Sequence, residues 1–121
     1  RVLVVDDNEA NIHLVRFILQ KNGLGVIEAR NGADGIALAI QERPDLIIMD
    51  IQLPDIDGLE ATKRIRASEA DGKIPIIAVT SYAMPGDKEK ALAAGCTSYI
   101  SKPIDVRAFI AEIQKYLRTH A

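Results

Sequence analysis

Leu46-Ile47-Ile48-Met49-Asp50-Ile51-Gln52-Leu53-Pro54-Asp55-Ile56-Asp57-Gly58 decides how the rest of this chain reads. Four apolar residues run without alternation into a carboxylate, and a turn rich in Pro, Asp and Gly follows. Such a run suits a strand buried on both faces, as in a parallel sheet. Asp50 then falls at the carboxyl end of the strand, where open α/β sheets build their sites. A lone aspartate there would by default be a cap or turn residue, so the flanking chain has to decide.

Towards the amino terminus, Val2-Leu3-Val4-Val5 is another short apolar run, closed by Asp6-Asp7-Asn8, with Asn8 or Asp7 suited to start a helix. Ile12, Val15, Ile18 and Leu19 then recur at helical spacing from Glu9 to about Asn22, and Gly23 stops the helix. Gly25–Ala29 reads as a weaker strand whose lower apolar content suggests a sheet edge. Asn31-Gly32 precedes a helix through Ile36, Ala37 and Ile40 that ends ahead of Pro44. Beyond Gly58, Leu59, Thr62 and Ile65 predict a helix closed by Asp71-Gly72. Pro75–Thr80 is a fourth strand, about Pro85 to Ala94 a helix with Pro85 in its first turn, and Ser98–Ser101 a fifth strand. Asp105 is placed to cap a last helix whose Phe109, Ile110, Ile113 and Leu117 form a buried stripe. Strand and helix alternate five times. That pattern predicts one α/β domain over residues 1–121, a doubly wound, flavodoxin-like parallel sheet of five strands.

Bulk properties narrow the function. At 121 residues there is room for one core. Hydrophobic residues at 48% and a net charge of −2 leave no electrostatic footprint for nucleic acid or an anionic membrane. No apolar run approaches the roughly 20 residues of a membrane span. The single Cys96 cannot form an internal disulfide, which favours a reducing, cytoplasmic setting. No signal sequence is expected, and a start at Arg1 suggests a trimmed or excised chain.

Polar residues collect after four of the strands: Asp6 and Asp7, Asp50, Thr80 and Lys102. In the common 2-1-3-4-5 strand order, the first and third strands are neighbours at the topological switch point, so the three acids converge. Carboxylates that close raise one another's pKa unless a cation joins them. A hard divalent ion with oxygen ligands fits, Mg²⁺ best, because it works with one or two carboxylates, waters and a phosphoryl group. A fixed carboxylate can attack phosphorus to form an aspartyl phosphate, with Lys102 and the Thr80 hydroxyl neutralising charge. Nucleotide binding is disfavoured, because the first strand leads into Asp6-Asp7-Asn8 and not a Gly-rich loop.

Val-Val-Asp-Asp-Asn at 4–8, Met-Asp-Ile-Gln-Leu-Pro at 49–54 with Gly58, Val-Thr-Ser at 79–81 and Ser-Lys-Pro at 101–103 stand in an order and spacing that resembles the bacterial response-regulator receiver domain. The resemblance spans essentially the whole chain. It implies that Asp50 accepts a phosphoryl group from a phosphohistidine of a sensor histidine kinase or histidine phosphotransfer protein. It further implies that Asp6, Asp7 and Asp50, with the backbone carbonyl of Gln52, hold Mg²⁺, and that Lys102 contacts the phosphoryl group. The Lys102–Pro103 bond is expected to be cis. Thr80 would be drawn to the phosphate, vacating space for the ring of Tyr99 and repacking the face of the fourth helix, fifth strand and fifth helix for a downstream protein target. Ala83-Met84-Pro85-Gly86-Asp87 and the stretch from Ala94 to Ile104 resemble DivK-type single-domain regulators and hybrid-kinase receivers. Gln52 and Tyr82 vary in the family and are expected to tune dephosphorylation, Tyr82 by impeding the attacking water.

Other residues read more plainly. Asp55 and Asp57 are expected to be solvated turn residues, and Pro54 and Gly58 to shape the loop. His13 is a surface residue, His120 lies in a fraying tail, and Cys96 is a small buried residue without a redox role. Arg107, Lys115 and Tyr116 are exposed neighbours of the last helix's stripe. The expected chemistry is self-phosphorylation and self-dephosphorylation, without turnover of a separate substrate. The alternatives are a small Mg²⁺-dependent phosphatase with an aspartyl-phosphate intermediate, disfavoured by Gln52 where a second acid would stand, and a receiver-like interaction module that is never phosphorylated.

Overall fold

The structure is a computed structural model that describes residues 1–68, 74–81 and 84–119. In chain order the elements are β1 (Val2–Val5), α1 (Glu9–Lys21), β2 (Val26–Ala29), α2 (Gly32–Glu42), β3 (Leu46–Asp50), α3 (Gly58–Ser68), β4 (Ile76–Thr80), α4 (Asp87–Ala94), β5 (Ser98–Ser101) and α5 (Val106–Thr119). The strands are all parallel, in the order β2-β1-β3-β4-β5.

The unalternating apolar runs are explained by a core on each side of the sheet. Val2, Val4, Leu46, Ile48, Ile77 and Val79 face one way and pack with α1 and α5 through Ile12, Val15, Leu19, Phe109 and Ile113. Leu3, Val5, Ile47, Met49, Ile76 and Ala78 face the other way, against α2, α3 and α4. The central strands are therefore apolar throughout, save for Asp50 and Thr80 at the ends of β3 and β4, whereas edge strand β2 is only partly buried through Glu28. Glu28 is paired with Arg16 of α1 at 2.5 Å and with Arg30 at 3.1 Å. A charge on an outer strand also discourages pairing with another chain.

Local signals set the helix ends. Asn8 Oδ1 accepts from the amides of Ala10 and Asn11, so Asn8 and not Asp7 caps α1. Asp105 Oδ1 accepts from the Ala108 amide at the start of α5. Three boundaries move from expectation, the first being β2, which begins at Val26 and not Gly25. α4 begins at Asp87, because Gly86 sits at φ 88°, outside the helical region, and Pro85 remains in the turn before it. β4 begins at Ile76; Pro75 lacks an N–H and contributes its carbonyl to the Ile47 amide at 2.9 Å. In the α5 stripe Phe109 and Ile113 are buried, Ile110 and Leu117 partly so. Tyr116, expected to be exposed, is half-buried and joins the same core, because α5 rotates its ring onto the α1 side of the sheet. The Asp71-Gly72 helix stop and His120 lie outside the described residues.

Candidate functional site: an acidic cluster at the strand ends

β1 and β3 are adjacent with Val5 opposite Met49, so the residues that follow each strand emerge side by side. That register brings one carboxylate oxygen from each of Asp6, Asp7 and Asp50 within 4.8 Å of one another. Asp6 and Asp50 are buried, at 6% and 4% exposure, while Asp7 is open to solvent. Asp6 also accepts from the Asn8 amide at 2.9 Å, which fixes the turn out of β1.

The other half of the site comes from β4 and β5. Thr80 is buried at the end of β4, opposite Ser101. Its carbonyl accepts from the Lys102 amide at 2.7 Å, which steers Lys102 back over β3. Lys102 Nζ lies 3.3 Å from Asp6 Oδ2 and 3.5 Å from Asp50 Oδ2. The Lys102–Pro103 peptide is cis, as expected. One ammonium thus serves two buried acids.

That imbalance shows in Asp50. Burial pushes its carboxyl up from 3.8 to about 6, and the charge of Asp6 adds to the rise. The Gln52 amide, donating to Asp50 Oδ1 at 3.0 Å, and the Lys102 ammonium oppose it. Lys102→Met is therefore expected to move the Asp50 titration upward from about 6. Carboxyl-carbon NMR of the metal-free protein checks this, and an unmoved Asp50 would show that Lys102 does not reach it.

Three convergent carboxylate oxygens, two of them buried and short of positive charge, suit a hard divalent cation with oxygen ligands. Gln52 is held beside the cluster by its own amide on Asp50.

Tyr99 pairs with Ala78, two residues back from the Thr80–Ser101 pair, so Tyr99 and Thr80 lie on the same face of the sheet. The Tyr99 ring packs with the α2–α4 core, and its hydroxyl is the buried side-chain polar atom without a hydrogen-bond partner among the described residues. Tyr99→Phe is expected to raise stability by up to about 1 kcal/mol, since it removes that unpaired group. Equilibrium urea unfolding reads the sign; a loss of about 1 kcal/mol would mean the hydroxyl is satisfied.

Asp55 and Asp57 are not simply solvated. Asp57 Oδ1 accepts from the Leu59 amide at 2.7 Å and caps α3. The Asp57-Gly58-Leu59-Glu60 pattern, an acid with Glu three residues on, is the local signal that marks it. Asp55 reaches another helix, accepting from the amides of Gly32 at 2.7 Å and Ala33 at 2.9 Å. No local signal announces a contact across that distance in sequence. Gly58 is buried where a Cβ would stand 2.1 Å from the Asp50 carbonyl oxygen. His13 is exposed beside Arg16, and Cys96 is buried against Thr62, burial raising its thiol pKa. Tyr82 lies outside the described residues.

Comparison with known proteins agrees with this geometry. Residues 2–114 match the family described as response regulator receiver domain. The polar-differentiation response regulator DivK of Brucella anthropi is 48% identical over 116 residues, covering 96% of this chain and 94% of its own. The receiver domain of sensor histidine kinase PA1611 from Pseudomonas aeruginosa PAO1, solved with a magnesium ion in its active site cleft, aligns with a TM-score of 0.88 at 35% identity, over 96% of this chain and 95% of that one. The Saccharomyces cerevisiae co-crystal of the histidine phosphotransfer protein Ypd1 with the receiver domain of its downstream response regulator Ssk1 gives a TM-score of 0.92 at 32% identity, over 99% and 90%. Sequence, sheet order and strand-end chemistry converge on one assignment: this chain belongs to the response-regulator receiver domains of two-component systems and is DivK-like within them.

Proposed function

We propose that this domain is a phosphorylation switch whose phosphoryl acceptor is Asp50. The observation that carries the reading is a buried carboxylate fixed at the end of the central strand, with Lys102 Nζ 3.5 Å away and two further acids beside it. An Asp50 carboxylate oxygen attacks phosphorus, the bond from phosphorus to the imidazole nitrogen of a phosphohistidine breaks, and the imidazole leaves with that electron pair. An acyl phosphate remains on Asp50, and water later hydrolyses it to restore the carboxylate. At pH 7 most Asp50 is ionised despite its raised pKa of about 6, so the nucleophile is available.

Asp6, Asp7 and Asp50, with the Gln52 carbonyl, would hold Mg²⁺. When bound, that ion supplies charge neutralisation for the acids and the phosphoryl oxygens. Lys102 holds a positive charge against the same oxygens, and Thr80 supplies a hydroxyl from the neighbouring strand. Thr80 and Tyr99 share a sheet face, which supports a switch in which repacking of Tyr99 re-forms the α4–β5–α5 surface for a downstream protein. The donor is a sensor histidine kinase or histidine phosphotransfer protein, a reading supported by the yeast complex among the structural neighbours. The domain catalyses only its own phosphorylation and dephosphorylation, and acts in the cytoplasm. None of the described helices is long and apolar enough to cross a membrane.

Incubation with acetyl phosphate and Mg²⁺ tests the reading. About one phosphoryl group per chain, acid-stable and base-labile, is the expected result. Rapid multiple turnover of varied phosphomonoesters would instead make the protein a phosphatase, and failure to label from any donor would leave an unphosphorylated interaction module.

A further inference from the structure

Between Asp50 and Gly58 the backbone belongs to no helix or strand, so its position rests on a few contacts. Its two ends are fastened locally: the Gln52 amide donates to Asp50 Oδ1 at 3.0 Å, and the Gly58 amide to the Ile51 carbonyl at 2.8 Å. Its middle is fastened to another element. The two Asp55 carboxylate oxygens take the amides of Gly32 and Ala33, donors in the first turn of α2 that have no intrahelical partner. The next residue, Ile56, lies so close to α2 that a Cβ on Gly32 would stand 2.4 Å from Ile56 Cγ1. α2 already has its own cap, since Asn31 Oδ1 accepts from the Asp34 amide at 2.8 Å. Asp55 therefore supplies a second cap from across the fold, and an anion at a helix N-terminus is favourable there. Both amides hold the Asp55 carboxyl below the usual carboxylate range, so it is ionised wherever the protein is folded near neutral pH.

We infer that Asp55 is a positioning residue for the metal site: by fastening the middle of this loop to α2, it holds the Gln52 peptide and the Asp50 carboxylate in the arrangement that takes a divalent ion. The inference rests on the reading of the acidic cluster as a Mg²⁺ site and names a residue outside the ligand set that sets its affinity. It also places the first turn of α2 in mechanical contact with that site, through one side chain that takes backbone amides 22 and 23 positions away.

Mg²⁺ titrations of the wild type, Asp55→Ala, Asp55→Asn and Gly32→Ala, far below their melting temperatures, test it alongside amide hydrogen exchange. A group bonded directly to a metal ligand typically sets affinity by about 10-fold or more; Asp55 acts through the loop backbone, so Asp55→Ala is expected to bind Mg²⁺ severalfold more weakly, up to about 10-fold. Asp55→Asn, which keeps one acceptor oxygen, should fall between it and the wild type. In metal-free protein, amides of residues 51–58 should exchange faster in Asp55→Ala while those of β1, β3 and β4 stay protected. Gly32→Ala attacks the same contact from the other side, so the double variant with Asp55→Ala should be weakened less than the two singles combined. A role confined to capping α2 would lower stability and leave Mg²⁺ affinity unchanged, and that result overturns the inference. If Asp55→Ala does not fold, unchanged affinity in Asp55→Asn overturns it equally. A wild type that binds no Mg²⁺ sinks the metal-site reading itself, whereas wild type and variants binding alike sink only the role of Asp55.

Discussion

Asp50→Asn is expected to abolish phosphoryl uptake and, in the same metal-free molecule, to raise the melting temperature at pH 7.5. The first effect follows from chemistry, because an amide oxygen is no nucleophile towards phosphorus under these conditions. Label from acetyl phosphate should fall to background, at least ~100-fold, with the fold intact. The second follows from linkage. Asp50 has a folded pKa of about 6, against 3.8 in the unfolded chain, so between these values the folded state holds the extra proton. The contribution of Asp50 to stability is therefore most favourable below 3.8, declines as pH rises, and is fully unfavourable above about 6. The shift from 3.8 to about 6 corresponds to a cost on the order of 3 kcal/mol at pH 7.5. Asparagine removes the charge and keeps an oxygen for the Gln52 amide. A gain of about 2 kcal/mol, several degrees in melting temperature, is the expected result at pH 7.5, shrinking towards zero near pH 4. Mg²⁺ should stabilise the wild type and leave Asp50→Asn much less affected. Thermal melts of both proteins at pH 4, 6 and 7.5 measure the effect. A gap between them that does not change with pH would show that the buried charge is not the cause.

Gly58→Ala is expected to be the most destabilising single-methyl change near the site. A Cβ at this position would lie 2.1 Å from the Asp50 carbonyl oxygen and 2.7 Å from the Ile51 Cα. Both obstacles are backbone, so no rotamer change relieves them, and the start of α3 must part from the end of β3. The loss should be on the order of 3 kcal/mol, the upper end for overpacking. Because the displaced carbonyl belongs to Asp50, Mg²⁺ affinity and labelling should fall along with stability. Gly23→Ala is the matched comparison. Gly23 has open space around its Cβ position but a φ of +77°, so it should lose only about 1 kcal/mol through backbone strain. Urea unfolding of the two variants separates the effects, and a Gly58→Ala loss no larger than that of Gly23→Ala would show that the junction of β3 and α3 opens readily to admit the methyl group.

Much of the fold is legible in local sequence pattern. The three inner strands announce themselves because burial on both faces demands apolar residues along their length, as in Leu46–Met49 and Ile76–Val79. Asn8, Asn31 and Asp105 mark helix starts because a cap acts on amides two or three residues away, within reach of local pattern. Asp57 belongs to the same class, with Glu60 as the signal that distinguishes it from a solvated turn residue. The start of α4 is harder to place, because Pro85 is compatible with a first helical turn and a glycine at position 86 permits either sign of φ.

Sequence by itself determined the parallel sheet, its two cores and the set of polar residues ending its strands, because periodicity and strand-end chemistry are encoded within a few neighbouring residues. Only the tertiary structure decided that one Lys102 ammonium is shared between Asp6 and Asp50, that Asp55 closes the first turn of α2, and that Gly58 lies against the Asp50 carbonyl. Those three facts are distances between groups that strand register and helix packing bring together. No local pattern records them.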